Sequence, residues 1–217
     1  QWIRAKISPI QDLKNNVYRI ACIFEDISRS KKSEAELKHI AYHDSLTKLP
    51  NRRSFLERFH ELISQAQRET QKIIKALFYI DLDKFKNIND TEGHEIGDII
   101  LKEVTKRLQK CIRQSDLLFR IGGDEFTVIL NAIHNEYDAA TVAQKIITAI
   151  TTPVIVNEKE FFLGLSIGIS LYPKNGQETS ALIKYADIAL NEAKKEGNIY
   201  KFFNKEMDER TQKYLTI

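Results

Sequence analysis

Gly122-Gly123, set between the apolar runs 117–121 and 126–130, constrains the fold more than any other feature of the chain. Glycine tolerates the positive φ angles of a two-residue reversal at little cost, so the runs read as antiparallel strands joined by a tight hairpin. Asp124 and Glu125 follow the glycines directly. The hairpin tip therefore carries two adjacent carboxylates on a rigid turn, which suits a hard divalent cation that carries phosphate. A second acidic cluster, Asp81-Leu82-Asp83, closes an apolar run over 73–82. That run shows little alternation, as expected of a buried central strand. Asp81 and Asp83 are two apart and project from one side of the sheet. If the hairpin lies beside this strand, Asp81 and Asp124 converge on one cation, and the Leu82 carbonyl is placed to join them. Magnesium fits, because it takes few carboxylates and fills its shell with water, carbonyl and phosphate oxygens. Asp81 alone also reads as a strand-end acid capping a turn. Clustered acids are costly without a cation, which favours the metal site.

The rest of the chain supplies a frame. Helical spacing of apolar residues predicts helices over 28–43, 53–69, 95–112, 137–150 and 180–195. Residues 153–156 and 161–171 read as a second strand pair, and 199–203 as a last strand. From residue 73 the order begins β-α-β-β-α-β, so the expected fold is α+β with a ferredoxin-like core and extra strands. That layout puts helices on one face of a mostly antiparallel sheet. Residues 2–7 and 17–24 read as two strands joined by a polar turn at 12–16. Two strands alone bury too little to be stable, so residues 1–30 read as the end of a truncated domain. Ala35, Leu37, Ile40 and Ala41 mark a connecting helix, and Leu49-Pro50-Asn51-Arg52 marks a break. The polar tail 204–217 can begin another helix.

Composition excludes several classes. Apolar content of 42% and charged content of 29% are those of an ordinary globular protein. The 33 basic and 30 acidic residues give a net charge of +3, too balanced to argue for nucleic acid or membrane binding. No apolar run approaches the ~20 residues of a membrane span, and no signal peptide is visible. Cys22 and Cys111 match no metal or redox spacing and read as two reduced, buried thiols of a cytoplasmic domain. The chain starts at Gln1 rather than Met, so a longer parent is expected, and membrane anchoring through its other parts stays open.

Polar residues beside the acids point to a nucleotide. Lys86 is placed to stabilise charge that builds up in phosphoryl transfer. Asn89 offers a donor and an acceptor and Asp98 an acceptor pair, which suits the donors and acceptors of guanine. His94 sits between them, where by itself it reads as a capping or surface residue.

The run from Asp81 to Asp90, then Gly93-His94, Gly97-Asp98 and Gly122 to Phe126, resembles the GGDEF family of diguanylate cyclases. His43-Asp44-Ser45-Leu46-Thr47-Lys48-Leu49-Pro50-Asn51-Arg52 resembles the motif that opens that domain, and Ser166-Ile167-Gly168-Ile169-Ser170, Ala186-Asp187 and Ala193-Lys194 resemble its later landmarks. The resemblance implies a nucleotide-cyclase or polymerase palm-like fold and condensation of two GTP into cyclic di-GMP with release of two pyrophosphates. It implies that Asp81, the Leu82 carbonyl and Asp124 bind magnesium, or manganese in its place. Asp124 becomes the base for the 3′-hydroxyl, Glu125 assists, and Lys86 stabilises the transition state. Asn89, His94 and Asp98 recognise GTP, and Lys194 reaches a phosphate. Two sites must face each other, which implies a homodimer about a two-fold axis.

Arg113-Gln114-Ser115-Asp116 resembles the family's inhibitory site, where cyclic di-GMP binds; taken alone it reads as a salt bridge closing a helix. The family usually carries a basic residue after the glycine of Ala193-Lys194-Lys195-Glu196-Gly197, where this chain has Asn198. Tyr18 to Ser28 resembles the last strand and exit of a PAS sensor domain. The implied organisation is a PAS remnant over 1–30, a linker helix over 31–43, the GGDEF domain over 44–203, and a tail over 204–217 that resembles a linker to a phosphodiesterase domain. Two other readings stand beside catalysis. One is a non-catalytic module that binds GTP or cyclic di-GMP and regulates a neighbour. The other is a different palm-type enzyme, against which Asn89 and Asp98 argue.

Overall fold

The computed structural model describes residues 2–11, 17–69 and 73–209, and the chain forms two compact units, 1–42 and 43–217. The expected turn at 12–16 and the tail beyond residue 209 lie outside the described residues.

In the first unit, β1 (Ile3–Gln11) pairs antiparallel with β2 (Val17–Asp26), and α1 (Ser28–Tyr42) follows. Ile3, Ile7, Ile20 and Phe24 are exposed on the ribbon, and Leu37 and Ile40 on the helix. Cys22, expected to be buried, is also exposed, because a two-stranded ribbon has no second layer to cover it. Cys111 is buried as expected.

The second unit opens with α2 (Arg52–Arg68), whose first turn is capped by the Asn51 side chain accepting from the amides of Arg53 and Ser54. Then come β3 (Ile74–Asp83), α3 (Phe85–Glu92), α4 (His94–Cys111), β4 (Leu117–Gly122), β5 (Glu125–Ile133) and α5 (Glu136–Thr151). The chain continues through β6 (Val154–Val156), β7 (Lys159–Phe161), β8 (Gly164–Tyr172), α6 (Thr179–Lys194) and β9 (Tyr200–Phe202). Residues 205–209 of the tail are helical.

The main sheet has the order β4-β5-β3-β8-β9, antiparallel throughout except for the parallel β8–β9 pair. β3, β4, β5 and β8 with α4 and α5 form the expected ferredoxin-like core. The expectation of helices on one face needs correction, because both faces are covered. On β3, Ala76, Phe78, Ile80 and Leu82 pack in a cluster with residues of α4 and α5, while Leu77 and Tyr79 pack with Phe55, Phe59, Leu62 and Ile63 of α2 and with Leu182 and Ala186 of α6. A central strand that is apolar at five successive positions, Ala76 to Ile80, needs two covering layers.

Residues 161–171 are likewise not one strand. β6 pairs with β7 in a side ribbon turned by Asn157 and Glu158, both at positive φ, while β8 lies in the main sheet between β3 and β9. α6 packs so closely on β8 that a Cβ on Gly168 would sit 2.1 Å from the Ala186 carbonyl oxygen. Gly168→Ala is therefore expected to destabilise the domain by about 3 kcal/mol, measured by denaturant unfolding. An unchanged midpoint would contradict this packing.

Candidate active site

The main sheet brings the two acidic segments together. β3 and β5 are neighbours, and their register sets Asp81 opposite Glu125, with Ser166 of β8 opposite Asp81 on the other side. Gly122 is the last residue of β4 and pairs with Glu125, so the hairpin tip is Gly123-Asp124 rather than Gly122-Gly123. Only Gly123 of the two tip residues needs the left-handed region, at φ 52°. Asp124 and Glu125 are half-buried.

Asp81 sits 13% exposed, and its Oδ2 accepts from Lys194 Nζ at 2.6 Å. Burial pushes its carboxyl above the ordinary carboxylate range, Lys194 opposes this, and the charges of Asp124 and Glu125 add to the rise. The site thus holds more negative charge than one ammonium balances. Leu82 buries its side chain in the core and can contribute a ligand only through its carbonyl. Among the described residues no group of three His, Cys, Asp or Glu side chains is close enough to hold a metal ion. Two carboxylates and a carbonyl still fit magnesium, which completes its shell with water and phosphate. The Lys194 ammonium against Asp81 is itself a cation held at that point.

A pocket of about 730 Å³ opens beside Asp81, lined by residues that include Asp83, Lys84, Lys194, Gly197 and Asn198. Lys84, at φ 59°, starts α3 with no side-chain cap and its carbonyl accepts from the Asn87 amide, which leaves the Phe85 and Lys86 amides to meet an anion. Lys86, in the first turn of α3, is exposed. Asn89 near the end of α3 packs on Gly97 of α4, where an added Cβ would lie 1.9 Å from its Oδ1. The contact sets Asn89 beside the N-terminal end of α4, where His94 and, one turn on, Asp98 are both exposed. These three residues do not line the pocket at Asp81.

The family model described as "Diguanylate cyclase, GGDEF domain" matches residues 41–199. The chain belongs to the GGDEF family. It is 40% identical over 187 residues to the bifunctional diguanylate cyclase/cyclic di-GMP phosphodiesterase MucR of Pseudomonas aeruginosa, covering 86% of this chain and 27% of MucR. It is 33% identical over 206 residues to the cyclic di-GMP phosphodiesterase PdeR of Escherichia coli, covering 94% of this chain and 30% of PdeR. The chain thus spans under a third of either relative. The isolated GGDEF domain of TpbB from Pseudomonas aeruginosa superposes with a TM-score of 0.75 at 35% identity, covering 78% of this chain and 99% of that one.

Against the GGDEF pattern, two features of the site were missed in the sequence. The first is Arg120, whose Nε and Nη2 donate to the Gly123 carbonyl at 3.0 and 2.6 Å while Nη1 donates to Asp44 Oδ1 at 2.8 Å. One buried guanidinium thereby fastens the hairpin tip to the segment that opens the domain. Burial works to raise the Asp44 carboxyl, but hydrogen bonds from Thr47 and the Arg120 charge outweigh it and hold the group below its ordinary range. The second is Asp83, whose Oδ1 accepts from Ser166 Oγ and Oδ2 from the Asn198 amide, both at 2.7 Å. Asp83 therefore ties the Gly197-Asn198 turn to β3. The acidic cluster revealed Asp83, but nothing in spacing distinguished a fastener from a ligand.

Arg113 and Asp116 lie together at the end of α4, beside a small cavity of about 130 Å³ that also touches Asp138 and Thr141. Asp116 accepts from the backbone amides of Arg113, at 3.0 Å, and Asn131, at 3.3 Å. The Arg113 residue is exposed. No helix among the described residues is long and apolar enough to cross a membrane.

Proposed function

We propose that residues 44–203 are a diguanylate cyclase that condenses two GTP into cyclic di-GMP and two pyrophosphates. The observation that carries this reading is the register of β3 and β5, which sets Asp81 against Glu125 with Asp124 one residue away. Phosphoryl transfer needs positioning and charge neutralisation more than covalent catalysis; this cluster offers a fixed position for a cation, and the cation would supply the neutralisation. Magnesium, or manganese in its place, held by Asp81, the Leu82 carbonyl and Asp124, would supply a lowered hydroxyl pKa and a counter-charge for the phosphates.

Each domain holds one GTP, and the 3′-hydroxyl of one attacks the α-phosphate of the other across a homodimer. Asp124 takes the hydroxyl proton and Glu125 assists. Lys86 offsets the charge that develops on the transferring phosphate, and Lys194 with the Phe85 and Lys86 amides at the start of α3 holds the leaving phosphates. Asn89, His94 and Asp98 orient the guanosine. Arg113 and Asp116 form the inhibitory site for cyclic di-GMP, where an exposed guanidinium suits guanine edges and phosphate. Residues 1–30 are the end of a PAS sensor domain, 31–43 the linker helix, and 204–217 a connection onward. The compact-unit boundary after Tyr42 supports the start of the GGDEF domain near residue 44.

A second reading, a module that binds GTP and regulates a neighbour without turnover, is favoured by Asn198 standing where the family carries a basic residue. Turnover of GTP with magnesium, followed by chromatography across a range of protein concentrations, separates the two. Catalysis at a dimer predicts cyclic di-GMP at a specific rate that rises with concentration. Bound GTP without product, even in a fused dimer, would contradict the cyclase.

A further inference from the structure

We propose that Lys194 is the resident counterion of the cation site, released to the nucleotide phosphates when a divalent cation takes its place at Asp81. The inference deepens the metal reading above and rests on it. Lys194 Nζ lies 2.6 Å from Asp81 Oδ2, and the two side chains are 37% and 13% exposed. Asp81 is the more buried partner and faces two further acids, so some cation must sit against it. Lys194 is the last residue of α6, whose end is fixed by the Glu196 and Gly197 amides donating to the Ala193 carbonyl at 3.1 and 2.9 Å. The base of the side chain is thus anchored while its four-carbon stem leaves the ammonium free to swing. Both Asp81 and Lys194 line the same pocket, so the ammonium moves between carboxylate and phosphate without leaving it.

The neighbouring cations are less suited to the exchange. Of the other lysines that line the pocket, Lys195 is paired with Glu192, 2.5 Å away, and Lys84 is exposed at the start of α3 and makes no ion pair with Asp81. A single lysine therefore serves two anions in turn. Cation and nucleotide binding become coupled: each frees the partner the other needs, and the coupling is equal in both directions.

The test uses the whole chain with Mn²⁺ alone, following free Mn²⁺ by electron paramagnetic resonance for the parent, Lys194→Met, Lys194→Arg and Asp81→Asn. Removing the competitor is expected to tighten Mn²⁺ binding roughly fivefold in Lys194→Met, the scale of a part-exposed ion pair, while Lys194→Arg stays at the parent value or weaker. A second arm measures binding of 3′-deoxy-GTP, which cannot be condensed. Without metal, Lys194→Met is expected to bind it like the parent; with Mn²⁺ it is expected to bind several-fold more weakly. Equal or weaker Mn²⁺ binding by a folded Lys194→Met, with binding still lost in Asp81→Asn, overturns the exchange and leaves the metal reading standing. Mn²⁺ binding that is the same in Asp81→Asn and the parent overturns the metal reading and the exchange with it.

Discussion

Asp81→Asn is expected to make the metal-free domain more stable at neutral pH while removing nearly all turnover. Burial and the neighbouring acids raise the Asp81 carboxyl above its ordinary range despite Lys194, so the folded state disfavours the charged form. A group with a raised folded pKa contributes stability that is full below the unfolded value, about 4, and is lost as pH rises through the folded value. At neutral pH the parent has already lost that contribution, and a neutral isostere does not incur the loss. Lys194, part-exposed, regains water when its partner is neutralised. Unfolding curves should therefore show Asp81→Asn above the parent at pH 7, with the gap closing as pH falls below about 4. Loss of a metal carboxylate should lower kcat by about 10³-fold or more. A variant less stable than the parent at pH 7 would contradict the electrostatic account. The opposition of stability and activity is what an active site built from unfavourable charges predicts.

Arg120→Ala is expected to produce the second large effect, with stability and activity falling together. The guanidinium is 9% exposed and joins the Gly123 carbonyl to Asp44. Its removal takes two donors from the Gly123 carbonyl and leaves the part-buried Asp44 carboxylate held by Thr47 alone, without its counter-charge, at a cost of about 3 kcal/mol. The hairpin tip that carries Asp124 loses its tether, so kcat should fall more than GTP affinity. Asp44 has a lowered folded pKa, so its contribution is present above the unfolded value and is lost as pH falls through the folded value. The difference between parent and Arg120→Ala in urea unfolding should thus shrink in acid. Wild-type kcat in a folded Arg120→Ala would show that the hairpin needs no such anchor.

The parts of the fold that were legible in the sequence are those with a local physical signature. The acids at a glycine turn placed β4 and β5, and the unbroken apolar run placed β3 at the centre of the sheet. The same run also carried the second covering layer, since alternate residues Phe78 and Tyr79 go to opposite clusters. The ferredoxin-like pattern hid it by suggesting a one-sided sheet. α3 was missed because Phe85 to Glu92 is short and polar, with only Phe85 buried. β7 was merged with β8 because the break between them, Phe162-Leu163, is apolar and carries no turn residue. Arg120 and Asp44 lie 76 residues apart, so no spacing rule links them. Only the sheet order brings the opening segment to the hairpin. For the site, sequence resemblance named the residues and the fold explains how Asp81 and Glu125 meet. It leaves Asn89, His94 and Asp98 outside the pocket at Asp81.

The most direct measurement is product formation from GTP and magnesium at high protein concentration, comparing the parent chain with Asp124→Ala after both are shown to fold. Asp124 sits at the hairpin tip, away from the hydrophobic core, so its truncation should leave the unfolding curve nearly unchanged. Cyclic di-GMP and pyrophosphate in a 1:2 ratio from the parent, reduced at least about 10³-fold in Asp124→Ala, is the predicted result. Equal product from both proteins, or none from a parent that dimerises and binds GTP, would contradict a cyclase built on this hairpin.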